Sequence, residues 1–272
     1  MPATSPPRCG LCRGRGCKFI GLDSPLDFLP PAGYNIPWMK AKVRRALKGL
    51  GRCLIRALVR VEAVGLERIP PSGPLLLINN HINFLDPVLS YLFAPRHLVG
   101  FSKFENFTHP LLGPLVRFGD AIPVRRGTAD VAAIRAALDA LARGEALLID
   151  PEGTRSHHGR LQPARTGVVM LALRTGAPIL PVAIWGQEQF WANLPRLRRT
   201  AVWMRVGYLF YLQADGDRVS REEREAMTRE VMWQLAALLP APYRGAYADL
   251  DRATERYLRF PPGAKSNLGG SE

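Results

Sequence analysis

Residues 75–87 read Leu75-Leu76-Leu77-Ile78-Asn79-Asn80-His81-Ile82-Asn83-Phe84-Leu85-Asp86-Pro87. Four apolar residues, a polar turn and an Asp-Pro step predict a buried strand at Leu75–Asn79 and a helix over 87–92. Asp86 is its expected N-cap, with Pro87 at the first helical position. The same grammar returns at Leu148-Ile149-Asp150-Pro151-Glu152-Gly153-Thr154-Arg155-Ser156, where a strand over 146–150 runs into a turn. Outward from these two segments, strands are expected at 97–100, 121–124, Ile179–Trp185 and 201–212, and helices at 110–118, 130–143 and 166–174. Such alternation predicts an α/β fold, a central mostly parallel sheet flanked by helices. A last helix starts at Ser220, where Ser220 and Glu223 form a capping-box pattern, and ends near residue 239, before Pro240.

Among the 272 residues, 47% are hydrophobic and 22% charged, which excludes a disordered tail protein, a collagen-like fibre and a disulfide-dense mini-scaffold. Lys plus Arg number 37 against 23 Asp plus Glu, a net +14 that favours an anionic partner, either nucleic acid or a membrane surface. Half of the excess is local. Residues 36–62 carry Lys40, Lys42, Arg44, Arg45, Lys48, Arg52, Arg56 and Arg60 against Glu62 alone. On a helical wheel these cations share one side and Met39, Val43, Leu47, Leu50, Leu54 and Leu58 the other, with only Ile55 and Val59 intruding among the cations. An N-terminal amphipathic basic helix therefore precedes the sheet. Either its apolar stripe packs on the domain and the cations are solvated, or the stripe lies in a lipid boundary with the cations on anionic headgroups.

Residues 1–35 are read as an irregular Pro/Arg/Gly-rich tail, 36–62 as the basic helix, 63–240 as the main domain and 241–272 as an irregular C-terminal extension. Cys9, Cys12 and Cys17 lack the further ligand pair of a zinc finger, so no metal site is expected. No apolar run reaches the ~18–20 residues of a membrane span. The expectation is a cytoplasmic protein, peripheral on the inner face of the membrane.

Two turns carry the chemistry. His81 and Asp86 close a short loop at the C-terminal edge of a strand, where α/β folds place their sites. A carboxylate on one ring nitrogen fixes the tautomer and leaves the other nitrogen free as a base. Glu152, Gly153, Thr154 and Arg155 join a turn, a carboxylate, a hydroxyl and a guanidinium, whose planar fork suits a phosphate. Lys103 and Arg126 place further cations after strands. His157 and His158 form no metal-binding pattern and are read as surface residues, and the aromatic residues Trp203, Tyr208, Phe210 and Tyr211 as strand packing.

This ordered set resembles the glycerolipid acyltransferase family typified by 1-acyl-glycerol-3-phosphate acyltransferase. The blocks that carry the resemblance are His81–Asp86 (H-x4-D), Lys103 through Gly119 to Arg126, Glu152-Gly153-Thr154-Arg155, and Leu180-Pro181-Val182. Asn83 departs from the pattern, standing where many members have Ser. The resemblance implies acyl transfer from a thioester, acyl-CoA or acyl carrier protein, to a hydroxyl of a lysophosphatidate-like acceptor, with no cofactor. His81 would be the general base oriented by Asp86. Lys103, Arg126, Glu152, Gly153, Thr154 and Arg155 would bind the substrate, the arginines on its phosphate. An anionic membrane surface is the expected partner. The alternatives are acylation of another lysophospholipid or membrane alcohol, or a basic nucleic-acid-binding protein. For the last no helix-turn-helix, zinc-finger, RNP or KH signature exists, so no nucleic acid is expected.

Overall fold

The run Leu75–Asn79 is strand β2, and all five residues are buried because the sheet is covered on both sides. A computed structural model describes residues 37–125, 130–214, 216 and 218–269. The chain divides into two units, residues 1–43 and 44–272, and every strand of the fold belongs to the second. Seven strands form the main sheet: β1 (Val59–Val64), β2, β3 (Leu98–Lys103), β4 (Ile122–Val124), β5 (Ala146–Ile149), β6 (Ile179–Trp185) and β7 (Thr200–Val206), in the spatial order β1-β7-β6-β2-β5-β3-β4. Neighbours are parallel except β6 and β7. The predicted mostly parallel α/β sheet is the observed one.

The period of two along β2 divides the core. Leu76 and Ile78 pack with α4 (Val131–Ala142), α5 (Gly167–Thr175) and α7 (Arg221–Ala237), whereas Leu75 and Leu77 pack on the opposite face with α2 (Leu85–Phe93) and the short α6 (Phe190–Asn193). Local chemistry sets the element ends. Asp130 caps α4 by accepting from Ala133 N at 3.0 Å, and α7 begins with the expected Ser220–Glu223 capping box. The helix α3 (Leu112–Phe118) precedes β4.

Four expectations are corrected. The N-terminal helix α1 (Pro37–Leu58) stops four residues before 62, and Val59–Val64 is an edge strand. Val59, Val61 and Ala63 alternate with Arg60, Glu62 and Val64, so the β-branched run follows the strand period once the helix ends. The predicted strand over 201–212 breaks after Val206. At Gly207 a Cβ would sit 2.5 Å from Asn267 Oδ1, and the chain resumes as β8 (Tyr211–Leu212), paired with β9 (Leu258–Arg259). Residues 241–269 of the irregular C-terminal extension are packed on the domain. Tyr247, Tyr257 and Leu258 are buried in the core, and buried Glu230 of α7 accepts from Thr254 Oγ1, Arg256 N and Tyr257 N at 2.6, 3.0 and 2.9 Å. Residues 1–36, including the three clustered cysteines, lie outside the described residues.

The fourth correction concerns the basic face of α1. Lys48 Nζ donates to Ala94 O and Arg96 O, Arg52 Nε donates to Leu92 O at 2.6 Å, and Arg44 pairs with Asp120 and Phe118 O. The carbonyls of residues 92, 94 and 96 close the C-terminal end of α2, where unpaired acceptors and the negative dipole end attract cations. Burial, helped by Arg52 and Arg44, lowers Lys48 to about 8. Ile55 and Val59, the two apolar intruders on the basic side, pack on the core beneath. The apolar stripe points outward: Leu47, Leu50 and Leu54 are 47%, 57% and 62% exposed.

Candidate active site

Strand β2 delivers His81 to the C-terminal sheet edge two residues after its own end. Asn80 holds that exit, its amide donating to Ile184 O at 2.7 Å and accepting from Ile184 N at 2.8 Å on β6. The His81 main chain is then gripped by the other motif. Its N–H donates to Glu152 Oε1 at 2.9 Å, and its carbonyl accepts from Ser156 N at 2.7 Å. Two loops separated by about 70 residues are thus one structure.

Asp86 is fully buried but does not cap α2, which starts one residue earlier. Its carboxyl turns back into the loop instead. Oδ2 accepts from Ile82 N at 2.6 Å and Asn83 N at 2.7 Å and lies 3.1 Å from His81 Nδ1, while Oδ1 accepts from Gln187 Nε2 at 2.6 Å. A carboxylate so saturated has one way to meet the imidazole, as acceptor of the Nδ1 proton, which leaves the lone pair on Nε2. Burial alone would lower the His81 pKa. The hydrogen bond to Asp86 and the charges of Asp150, Asp86 and Glu152 outweigh it, so the imidazole is held above 6.5.

The third motif separates into roles. Glu152 is 5% exposed, and Oε2 accepts from Gln162 N at 2.9 Å and from its side chain, so the carboxylate braces the two loops and does not reach outward. Burial raises its pKa against those hydrogen bonds. Gly153 takes φ +72°, and a Cβ there would meet Arg165 Nε at 2.9 Å, so only glycine suits this turn. Thr154 is exposed, with its carbonyl 3.4 Å from Gln162 Nε2. Arg155 is exposed and lines a cleft of about 450 Å³ with Ile82, Asn83, His157, His158 and Glu188. Asn83 itself is spent internally, donating to Gln187 O at 3.0 Å.

Lys103 ends β3, which β5 separates from β2. It shares the sheet edge with His81 at a lateral distance of roughly two strand spacings, about 10 Å. Arg126 lies outside the described residues. Pro181 of the fourth motif pairs in register with Ile78 and is buried. Sequence reasoning missed Asn80, Asp150, Gln162 and Gln187 as members of the site. Asp150 had one visible signal, as the polar residue directly after β5. Gln187 comes from beyond β6 and had none.

Residues 60–185 match the family model described as Acyltransferase. Among curated relatives, a 1-acyl-sn-glycerol-3-phosphate acyltransferase of Limnanthes alba is 35% identical over 166 residues, covering 57% of each chain. The chloroplastic 1-acyl-sn-glycerol-3-phosphate acyltransferase BAT2 of Brassica napus is 29% identical over 130 residues, 47% of this chain and 38% of that protein. The chain spans about half or less of the length of most such relatives. Among solved structures, the 1-acyl-sn-glycerophosphate (LPA) acyltransferase PlsC of Thermotoga maritima superposes with a TM-score of 0.56 at 24% identity, over 74% of this chain and 80% of that one. That similarity establishes the fold.

Proposed function

We propose that the chain, whose residues 60–185 match the family model described as Acyltransferase, moves a fatty acyl group from an acyl thioester to a hydroxyl of a lysophosphatidate-like glycerolipid. One observation carries the reading: a fully buried Asp86 occupies Nδ1 of His81, one residue before Ile82 of the cleft wall, and leaves Nε2 without a hydrogen-bond partner among the described residues. His81 Nε2 takes the acceptor's hydroxyl proton as the oxygen attacks the thioester carbonyl. A thioester is already activated, so a positioned base suffices and no covalent serine is required. Arg155 on the cleft wall offers its fork to the acceptor phosphate, and Lys103 stands on the β3 side of the same edge.

The outward stripe of α1 supports action at a membrane surface. Leu47, Leu50 and Leu54 on α1, and Leu111 and Leu115 at the start of and within α3 with 80% and 65% exposure, are exposed apolar side chains of the kind that rest in a lipid boundary. Arg44, Lys48 and Arg52 hold the helix to the domain, so apolar burial, and not those three charges, supplies the contact. No helix among the described residues is long and apolar enough to cross a membrane.

The test is incubation of the purified chain with labelled acyl-CoA or acyl carrier protein and a panel of acceptors: lysophosphatidate, other lysophospholipids and long-chain alcohols. The reading expects a labelled diacyl phosphate product. Label only in another lysophospholipid changes the acceptor, and label in none overturns the reading.

A further inference from the structure

His81 stands between two carboxyl groups, and general-base catalysis with Asp86 as its partner uses one of them. Ile149 of β5 pairs in register with Ile78 of β2, so Asp150 and the His81 turn leave the sheet side by side at the same edge. Asp150 Oδ2 lies 3.8 Å from His81 Nε2, the nitrogen that Asp86 leaves free. Its other oxygen, Oδ1, is sealed from solvent and has no hydrogen-bond partner among the described residues.

That pattern separates Asp150 from its neighbours. Asp86 and Glu152 saturate their oxygens with hydrogen bonds that tie loops together. Asp150 ties nothing together with its side chain, so a bracing role does not explain it. An acid kept in this position is costly, because buried polar atoms are normally paired. Burial first, then the charges of Asp86 and Glu152, push it up to about 7 against the pull of His81.

We propose that Asp150 is a positioning residue of the acyl transfer: it faces the reactive nitrogen of His81 and stabilises the imidazolium that forms there. The proposal rests on acyl transfer being the activity. In the step, the acceptor O–H bond breaks and its proton goes to Nε2, while the oxygen forms the new C–O bond to the acyl carbonyl. The C–S bond then breaks, and the proton leaves Nε2 for the thiolate sulfur, restoring neutral imidazole and releasing a free thiol. Asp150 neither gains nor loses a proton in this cycle. At 3.8 Å its carboxylate is too far for a direct hydrogen bond and near enough for strong attraction in a partly dry site. The titratable groups acting on the ring are Asp86, Asp150 and Glu152, all acids, so removing one charge moves the imidazole in a single direction.

The experiment is Asp150→Asn in the full chain, with two readouts: NMR titration of the His81 imidazole in ligand-free protein, and kcat/KM for acyl transfer against pH. The expected result is an imidazole that titrates at lower pH, an acidic limb of the profile that moves the same way, and a plateau rate about tenfold lower. The acceptor KM is expected to hold. Thermal stability should match or exceed wild type above pH 7, where the ionised acid is most costly. If Asp150→Asn does not fold, Asp150→Ser carries the same readouts. An imidazole titration and acidic limb that stay in place, or a plateau rate equal to wild type, overturn the proposal. A wild-type chain that transfers no acyl group overturns the acyl-transfer reading itself, and the NMR titration still decides whether Asp150 and His81 are coupled.

Discussion

Changing Leu47, Leu50 and Leu54 to Gln should detach the protein from lipid without unfolding it. The three side chains are 47%, 57% and 62% exposed, so each has roughly half of its surface left to withdraw from water. Full burial of a leucine contributes about 1.5–3 kcal/mol, so half of it gives about 1 kcal/mol each and about 3 kcal/mol for the set. That corresponds to about 100-fold weaker partitioning. Sedimentation with sonicated vesicles, over a range of lipid concentration, reads this directly, and thermal melting reads the fold. Because the changed residues face outward, stability should move by no more than about 0.5 kcal/mol per site. Arg52→Gln is the matched contrast. It removes the bond to Leu92 O and should cost about 1–2 kcal/mol of stability while sedimentation persists. Unchanged sedimentation of the triple variant would refute the reasoning. So would lost sedimentation in Arg52→Gln with an unchanged melt, since that would put the cation on headgroups and not on α2.

Asp86→Asn replaces an acceptor-only group by an amide where four donors converge, so an N–H must face a donor. Turnover should fall about 10²–10⁴-fold, with a lower melting temperature, checked by steady-state kinetics and calorimetry. The His81 pKa is raised, so the neutral base is reached only above 6.5; kcat/KM should rise through an acidic limb with its midpoint above 6.5, and a midpoint well below it would contradict the charge arrangement. Glu230→Ala leaves Tyr257 N and Arg256 N without their acceptor and should cost about 2–4 kcal/mol, with early hydrogen exchange confined to residues after 240; uniform exchange would mean that the C-terminal segment is not held this way.

The two strand-turn segments made the sheet and the dyad legible, because apolar runs and the H-x4-D spacing are local patterns. Ile179–Trp185 was predicted residue for residue, since all but its last residue are buried and the run needs no partner to be recognised. Three features escaped because distant residues decide them. The role of Asp86 depends on Gln187, 101 residues away, and on backbone donors that take precedence over helix capping. The orientation of α1 depends on carbonyls at the end of α2, and Ile55 and Val59, which looked like blemishes on the basic face, marked the buried side all along. The packing of residues 241–269 depends on Glu230 and on the positive φ of Gly245, where a Cβ would sit 2.1 Å from Leu161 O. A segment of short turns carries no period that would announce such contacts.

The central claim is that His81 accepts the acceptor's proton. Wild-type and His81→Ala proteins, matched by circular dichroism and melting temperature, should be compared for transfer of labelled acyl groups from thioester to lysoglycerolipid under saturating donor. The account predicts a loss of about 10²–10⁴-fold in turnover with the fold intact. Turnover of His81→Ala within a few-fold of wild type would contradict it.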